Sequence, residues 1–549
     1  MSEGLTTTFD LLSATRNEAA VPVLVLALDS PHERIRADAL RALLDRRSLV
    51  GQREILRRLH KLDRNSRELI GEKPGGLSQG LRDAVLVGED QVVSNGCRVA
   101  LWHREYDLVP TLINALEKDS NSQAEEIGRT LIELMRLLYS ELDGRRDTMR
   151  RRDPELVRQR VEESLEQSVQ RFSQHGRVEP IEALLRIAPR HNATLRKILG
   201  DPHHGTYLAL VAAAQHSQHV GAMRLLLSFL DDAHPPLAVL NIVEHRSDKS
   251  FLTLLFEKFG GRLSPSIEKN LKRLSAIRWV QDEDKSVLTK LDDESQAEAV
   301  RFVMLSGTKR LEAFPTIAFV LESGEDAGRR AASAALAEFP GGAANKAALA
   351  ALDDPDREVQ ANIIKQLRPR GMPGALQHLI DRLDSSHELV REAARENLPE
   401  FTFARFLSAF DVLDEVVRVR TGALVKKADP QAVPELEKEM QSPARTRRIR
   451  ALAVATSLGV VTELEELVIA LVSDEDHLVR VEAANALTQC PTVAAREARR
   501  EALTDNSFAV QQAAEESLRE LGQTAVPPTA PSGGAGSLHD AWPTEELEA

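Results

Sequence analysis

The chain has 549 residues, 42% hydrophobic and 28% charged, with 84 acidic against 71 basic side chains and a net charge of −13. That balance argues against the sustained basic surface that phosphate backbones require, and two cysteines, Cys97 and Cys490, exclude a disulfide framework. No apolar run approaches the roughly 20 residues of a bilayer span; the best, 21–28 and 467–472, have the length of core helices.

Near the N-terminus, Met1 to Thr6 shows neither the basic nor the apolar region of a secretory signal, so the expected location is cytoplasmic. Residues 9–135 read as diverged helical repeats. Ile35-Arg36 is followed by Ala39 and Ala42-Leu43, after an apolar stretch Val21-Pro22-Val23-Leu24. Val93 with Cys97 and Ala100-Leu101 repeats the pattern, as does Ala124 with Gly128 and Leu131, 31 residues later. Cys97 then falls on a small buried position, where a thiol serves as an apolar filler.

In residues 136–290 the register cannot be held, although helical runs persist at 154–172, 179–187, 207–214 and 220–230. Degenerate repeats are the expectation, ahead of an inserted helical domain, because stacked repeats tolerate drift while neighbour contacts survive. A basic run, Arg145-Arg146 and Arg150-Arg151-Arg152, has no interleaved aromatic residues for base stacking. It reads as a solvated helix start that pairs with Glu155 and the Glu162-Glu163 pair. Further on come His203, His204, His216, His219, His234 and His245, with Asp201 beside them. His216 and His219 are three apart and would share a helix face. A metal site would also need a third and fourth ligand converging from elsewhere, so a metal-dependent enzyme using the His203–His245 region stands as an alternative only.

Residues 291–522 form the regular array. One pattern recurs eight times, beginning at Ala297, Gly328, Val359, Val390, Val419, Ile449, Val479 and Val510, at intervals of 31, 31, 31, 29, 30, 30 and 31 residues. The shared pattern is an aliphatic or small residue, usually an Arg next, usually a small residue four places on and usually Leu eight places on. Offsets of four, seven and eight lie on one side of a helix, and a fixed period in this range marks units that bury their apolar faces by stacking. A preceding helix is expected at 373–383 or 464–472, and the turns between helices are rich in Asp and Ser, which cap helix N-termini. Gln360 and Gln511 stand in place of the Arg, Glu298 does so in the first unit, and Arg301 sits where a small residue is expected. The repeated Arg (36, 329, 391, 420, 450, 480) is assigned to a contact between turn and helix.

The pattern Pro-x-Leu, Asp in the turn, then Val-Arg-x-x-Ala-x-x-Ala-Leu resembles HEAT repeats, specifically the short bacterial type of the phycobilisome lyases. It lacks the Thr-Pro-Leu-His of ankyrin units, and 4% aromatic residues leave the aromatic positions of tetratricopeptide units unfilled. The resemblance implies an all-α fold, an α-solenoid of antiparallel helix pairs with armadillo-like helical architecture, whose second helices line the inner, concave surface. It also implies, as an alternative function, a phycobilin-lyase-like or chaperone-like accessory role.

At offsets two, five and six the helix face opposite the buried stripe is polar in two units, with Glu392, Arg395 and Glu396, and with Gln512, Glu515 and Glu516. Between them it turns apolar: Leu424 and Val425, then Ala451, Val454 and Ala455, then Val481 and Ala484. On three adjacent units these form a strip suited to a partner helix or peptide. The last segment, 523–549, is rich in Pro, Ala, Gly and Ser through Gly536 and ends in an acidic stretch around Trp542, which reads as a flexible linker carrying a peptide motif. There is no Gly-rich phosphate loop, nucleophile elbow, Cys-x-x-Cys or His-Glu-x-x-His. The sequence therefore points to a non-catalytic scaffold or adaptor for a protein partner. No cofactor, metal, nucleic acid or membrane insertion is expected, and the candidate binding residues are Leu424, Val425, Val454, Val481 and Trp542.

Overall fold

The computed structural model describes residues 2–73, 75–118, 121–144 and 153–523, and among these the regular structure is helical with no strand. The protein is an all-α solenoid, which divides into two compact units, Met1–Gly328 and Arg329–Ala549.

In the first unit a row of helices runs in sequence order. Helix α1 (Glu33–Arg46) packs on the preceding helix Ala20–Leu28, burying Leu40 and Leu43 against Val21 and Leu24. It stops at Arg47, which turns into the left-handed region at φ 53°. Beyond it, α2 (Asp90–His103), α3 (Ala124–Asp143), α4 (Glu179–Ile187), α5 (Val220–Ser228), α6 (Lys249–Phe259) and α7 (Asp293–Leu305) each pack on the next. The stacking thus crosses the stretch where the repeat pattern is illegible. One reason for that illegibility is the core itself. Phe256, Phe259, Trp279 and Phe302 are fully buried, with ring centroids 5.4 to 6.1 Å apart where they meet, so aromatic side chains replace the Ala and Leu of the regular units.

Close approach of the helices sets the packing distance. A Cβ on Gly221 would lie 2.3 Å from the Arg186 carbonyl and 2.7 Å from the Tyr139 ring, so only glycine admits α5 this close to α4. Helix α8 (Arg310–Ser323) contains Pro315, which removes one backbone donor from its interior.

In the second unit, α9 (Arg357–Ile364) packs on α10 (Glu388–Glu396). Then α11 (Glu415–Ala428), α12 (Arg445–Leu458), α13 (His477–Ala486) and α14 (Phe508–Gln523) stack one on the next. The predicted stripe is buried at Val359, Ile363 and Leu367, at Val390, Ala394 and Leu398, at Val479, Ala483 and Leu487, and at Val510 and Ala514.

Three of the eight units need a correction. Val419 is 51% exposed, and four places on from Ala297, Val419 and Ile449 stand the exposed Arg301 and Ala423 and the half-buried Ala453, so the predicted stripe is not the buried one. The buried ladder there is Ser295, Ala299 and Val303 on α7, Thr421 and Val425 on α11, and Ala451 and Ala455 on α12. In each of these units the ladder is therefore offset by two residues, counted from Ser295, Val417 and Arg447, of which Ser295 is buried, Val417 half-buried and Arg447 exposed. A helix turns about 100° per residue, so a slip of two rotates the assignment by about 200° and exchanges core for solvent.

The side chain that follows the first stripe residue identifies the true register. It reaches back to carbonyls of its own turn, usually six residues earlier. Arg36 donates to Ser30 at 3.0 Å, Arg391 to Ser385 at 2.5 Å, Arg448 to Ser442 at 2.9 Å and Arg480 to Asp474 at 2.8 Å. The glutamines do the same: Gln360 Nε2 donates to Asp354 and Gln511 Nε2 to Asp505, both at 2.7 Å. Gln296 donates to the carbonyls of Leu288 and Leu291, and Arg418 to that of Phe410. Gln for Arg is thus no departure in function.

Several of the arginines also pair with an Asp in the turn of the following unit. The distances are 2.9 Å for Arg36–Asp63, 3.0 Å for Arg329–Asp354, 2.9 Å for Arg448–Asp474 and 2.8 Å for Arg480–Asp505. The Arg36 guanidinium and the Ser66 amide hold the Asp63 carboxyl down at about 2, and the Arg480 guanidinium lowers that of Asp505. One side chain thereby joins its own turn to the next.

Candidate functional site

The register decides the fate of the predicted apolar strip. Val425 and Val454 are both fully buried, as are Ala451, Ala455 and Ala484, while Leu424 and Val481 are half-buried. Counted from Val417 and Arg447, Leu424, Val425, Val454 and Ala455 sit at offsets seven and eight and Ala451 at four, which are core positions. The close approach of α11 to α12 seals them: a Cβ on Gly422 would stand 2.3 Å from the Ser457 carbonyl. The fully buried residues hold successive units together, and with only Leu424 and Val481 half-buried between them no continuous open docking strip is left. Trp542, the remaining predicted residue, lies outside the described residues, as does the basic run 145–152.

The histidines are dispersed. His216 is exposed and its Nδ1 lies 2.8 Å from the Ala212 carbonyl, whereas His219 turns the other way and caps α5, accepting from the Gly221 amide at 3.1 Å. Burial, with Arg186 and Arg136 nearby, pushes His219 down to about 4, and its ring meets Tyr139 edge-on at 5.1 Å. His204 accepts from the Thr206 amide, His245 contacts the Asn241 carbonyl, and His203 and His234 are exposed. Among the described residues no three His, Cys, Asp or Glu side chains converge as a metal-binding group. The alternative of a metal-dependent enzyme in this region therefore has no assembled site to stand on. Cys97 and Cys490 are buried, and burial raises both thiols, Cys97 to about 11, which leaves neither as a ready nucleophile.

Three concavities remain. One of about 380 Å³ is lined by Arg158, Arg186, Arg190 and Arg224, but three of these are engaged internally. Arg158 pairs with Glu155 and Glu162, Arg190 with Asp231 and Asp232, and Arg224 with Asp143. A second, of about 570 Å³, contains Arg370, whose guanidinium donates to the carbonyls of Leu336 and Phe339 and so serves the loop.

The third, of about 760 Å³, lies between α8 and the segment from Val280 to Lys285 and differs from the others in chemistry. Its floor is Pro315, Ala318 and Phe319 on one face of α8, and the same face carries Leu311, which is 88% exposed. Positions 311, 315, 318, 319 and 322 fall on one side of a helix. Around that floor stand Asp282, Glu283, Glu312 and Glu322. Thr316 Oγ1 donates to the Val280 carbonyl at 3.3 Å and Gln281 Nε2 to Glu312 at 3.2 Å, so the two walls are tied together. The one lysine of the lining, Lys285, is 7% exposed and spends its ammonium on the carbonyls of Val280, at 2.6 Å, and Asp282. Burial lowers its affinity for the proton. Sequence reasoning passed over this groove. Its signal was a helix with apolar residues four apart at Leu311, Pro315 and Phe319, interrupted by a proline where a buried helix would tolerate none cheaply.

A family model described as HEAT repeats matches residues 315–399. No curated protein matches the chain. Among solved structures, the chain is similar to Kap121p, with 14% identity over 94% of this chain and 53% of that one and a TM-score of 0.24, so it spans about half of that protein's length. An engineered protein is 15% identical, with 91% and 98% covered and a TM-score of 0.18. Human deoxyhypusine hydroxylase, solved with glycerol, is 16% identical, with 55% and 96% covered and a TM-score of 0.16. The family match is to HEAT repeats in general and does not single out the lyase type. Residues 315–399 are thus a HEAT-repeat segment, beginning on the helix that floors the acidic groove, within a chain whose described residues build an all-α solenoid.

Proposed function

We propose that the protein is a non-catalytic interaction scaffold and that it takes a protein partner along the exposed face of α8. The observation that carries this is the row Leu311, Pro315, Ala318 and Phe319, an apolar helix face that none of the described residues covers at Leu311 and Pro315. Fully burying a Leu or Phe side chain contributes roughly 1.5–3 kcal/mol, so two such anchors supply enough for a transient complex and not for an obligate one.

The test is affinity purification from extract of the source cells, with wild type beside Leu311→Asp/Ala318→Asp. Leu311 is exposed and Ala318 half-buried, so circular dichroism of the variant is compared with wild type to confirm that helicity is unchanged. A partner retained by wild type and lost by the variant supports the site. An identical set of proteins with both would overturn it.

A further inference from the structure

We infer that the partner segment taken by the α8 groove is a basic one: a stretch of chain in which an apolar side chain is flanked by Lys or Arg. This rests on the reading of the groove as a protein-binding site and adds the chemistry of the occupant.

The argument is one of charge set against an apolar floor. Four carboxylates border Pro315, Ala318 and Phe319, and their internal neutralisation is poor. Glu283 and Glu322 are exposed and pair with no cation among the described residues. Asp282 has Arg278, 3.9 Å away and 61% exposed, and the charge of the inward-turned Lys285, and Glu312 has the Gln281 amide and Lys309, 3.8 Å away and 83% exposed. The lysine that could have balanced them, Lys285, is turned inward on backbone carbonyls. This is the reverse of the arginine-lined cavity, where Arg158, Arg190 and Arg224 already have carboxylate partners.

Such a rim repels an acidic segment and any nucleic acid, and it leaves a neutral segment with apolar contacts alone. A basic segment gains both: the apolar residue covers Phe319 and Pro315, and the flanking cations meet the carboxylates without having to displace an existing partner. Arg suits this best, because a planar guanidinium can engage a carboxylate with two parallel hydrogen bonds. Attraction of this kind steers encounter and is weakened by salt.

The experiment is fluorescence anisotropy on the full chain with three labelled nine-residue peptides. One carries Arg and Lys around a central Leu, the second replaces the cations by Glu, and the third keeps the cations but has Gly for Leu. Glu283→Gln/Glu322→Gln is compared with Glu163→Gln/Glu257→Gln, which removes two exposed carboxylates of the same unit outside the groove. The first peptide should bind, the second should not, and the third should bind more weakly. The groove variant should raise Kd about fivefold or more while the control pair changes it less than about twofold.

Equal loss in both variants would reduce the effect to the chain's net charge and overturn the inference, as would equal binding of the acidic peptide. The two readings can fail separately. If no basic peptide binds but Leu311→Asp/Ala318→Asp still loses the native partner, the groove stands and the basic occupant falls. If that variant keeps the native partner, the groove itself falls.

Discussion

Replacing Arg448 by Met should cost far more stability than replacing Arg450 by Met, although the period read from sequence makes Arg450 the repeated arginine. Arg448 is 7% exposed and donates to the carbonyls of Ser442 and Pro443 at 2.9 and 3.0 Å. It also meets both carboxylate oxygens of Asp474, itself 9% exposed at the side chain, at 2.9 and 3.0 Å. Met preserves the packing of the aliphatic stem but strands a buried carboxylate. Removing one partner of such a pair costs about 3–5 kcal/mol. The lower end applies, because Asp474 keeps its bond from the Asp476 amide.

Arg450, by contrast, is 32% exposed, faces an Asp411 that is 71% exposed at 3.3 Å, and donates to the Leu407 carbonyl. An exposed pair contributes roughly 0–1 kcal/mol, and the single bond to a carbonyl about 1 kcal/mol more at most. The difference of about 2 kcal/mol is roughly thirtyfold in local opening. Because stacked repeats need not unfold as one unit, hydrogen exchange of the amides of α11 to α13 is the appropriate assay. Protection lost equally in the two variants, or lost more in Arg450→Met, would refute the two-residue register.

Two further outcomes follow from the packing and the titrations. Gly422→Ala places a Cβ 2.3 Å from a backbone carbonyl on α12, which cannot yield as a side chain would, so urea denaturation should show a loss of about 1–3 kcal/mol. Gly200→Ala, which meets nothing within 4 Å, should stay within about 0.5 kcal/mol. His219 titrates near 6.5 when unfolded and at about 4 in the fold. Between those values the unfolded chain binds the extra proton, so stability falls as pH drops from about 6.5 to 4. His219→Asn, which keeps an acceptor for the Gly221 amide, should flatten that part of the pH–stability curve; an unchanged slope would show that His219 is not the group responsible.

Much of the fold was legible because it is local. Val359, Val390, Val479 and Val510, each followed four places on by a small residue or Ile and eight places on by Leu, declare their buried face within nine residues, and the structure buries these four valines as expected. At α11 and α12 the same reading failed. Val417-Arg418-Val419-Arg420 and Arg447-Arg448-Ile449-Arg450 each offer two overlapping starts, and the period alone chose the wrong one. That choice carried the site with it, since Val425 and Val454 seemed exposed only in the slipped register. In α6 the aromatic core removed the pattern altogether, and in α7 it left only a slipped copy.

Periodicity, helix type, the Asp-rich turns and the clamp between turn and helix were all determined by residues within one unit, because a helix face and its capping are set by neighbours three to six positions away. Which of two overlapping registers is buried, how near α12 comes to Gly422, and which face of α8 is left without a cover were decided only in three dimensions. Each of these depends on where a second helix lies, at a separation no single-unit pattern encodes.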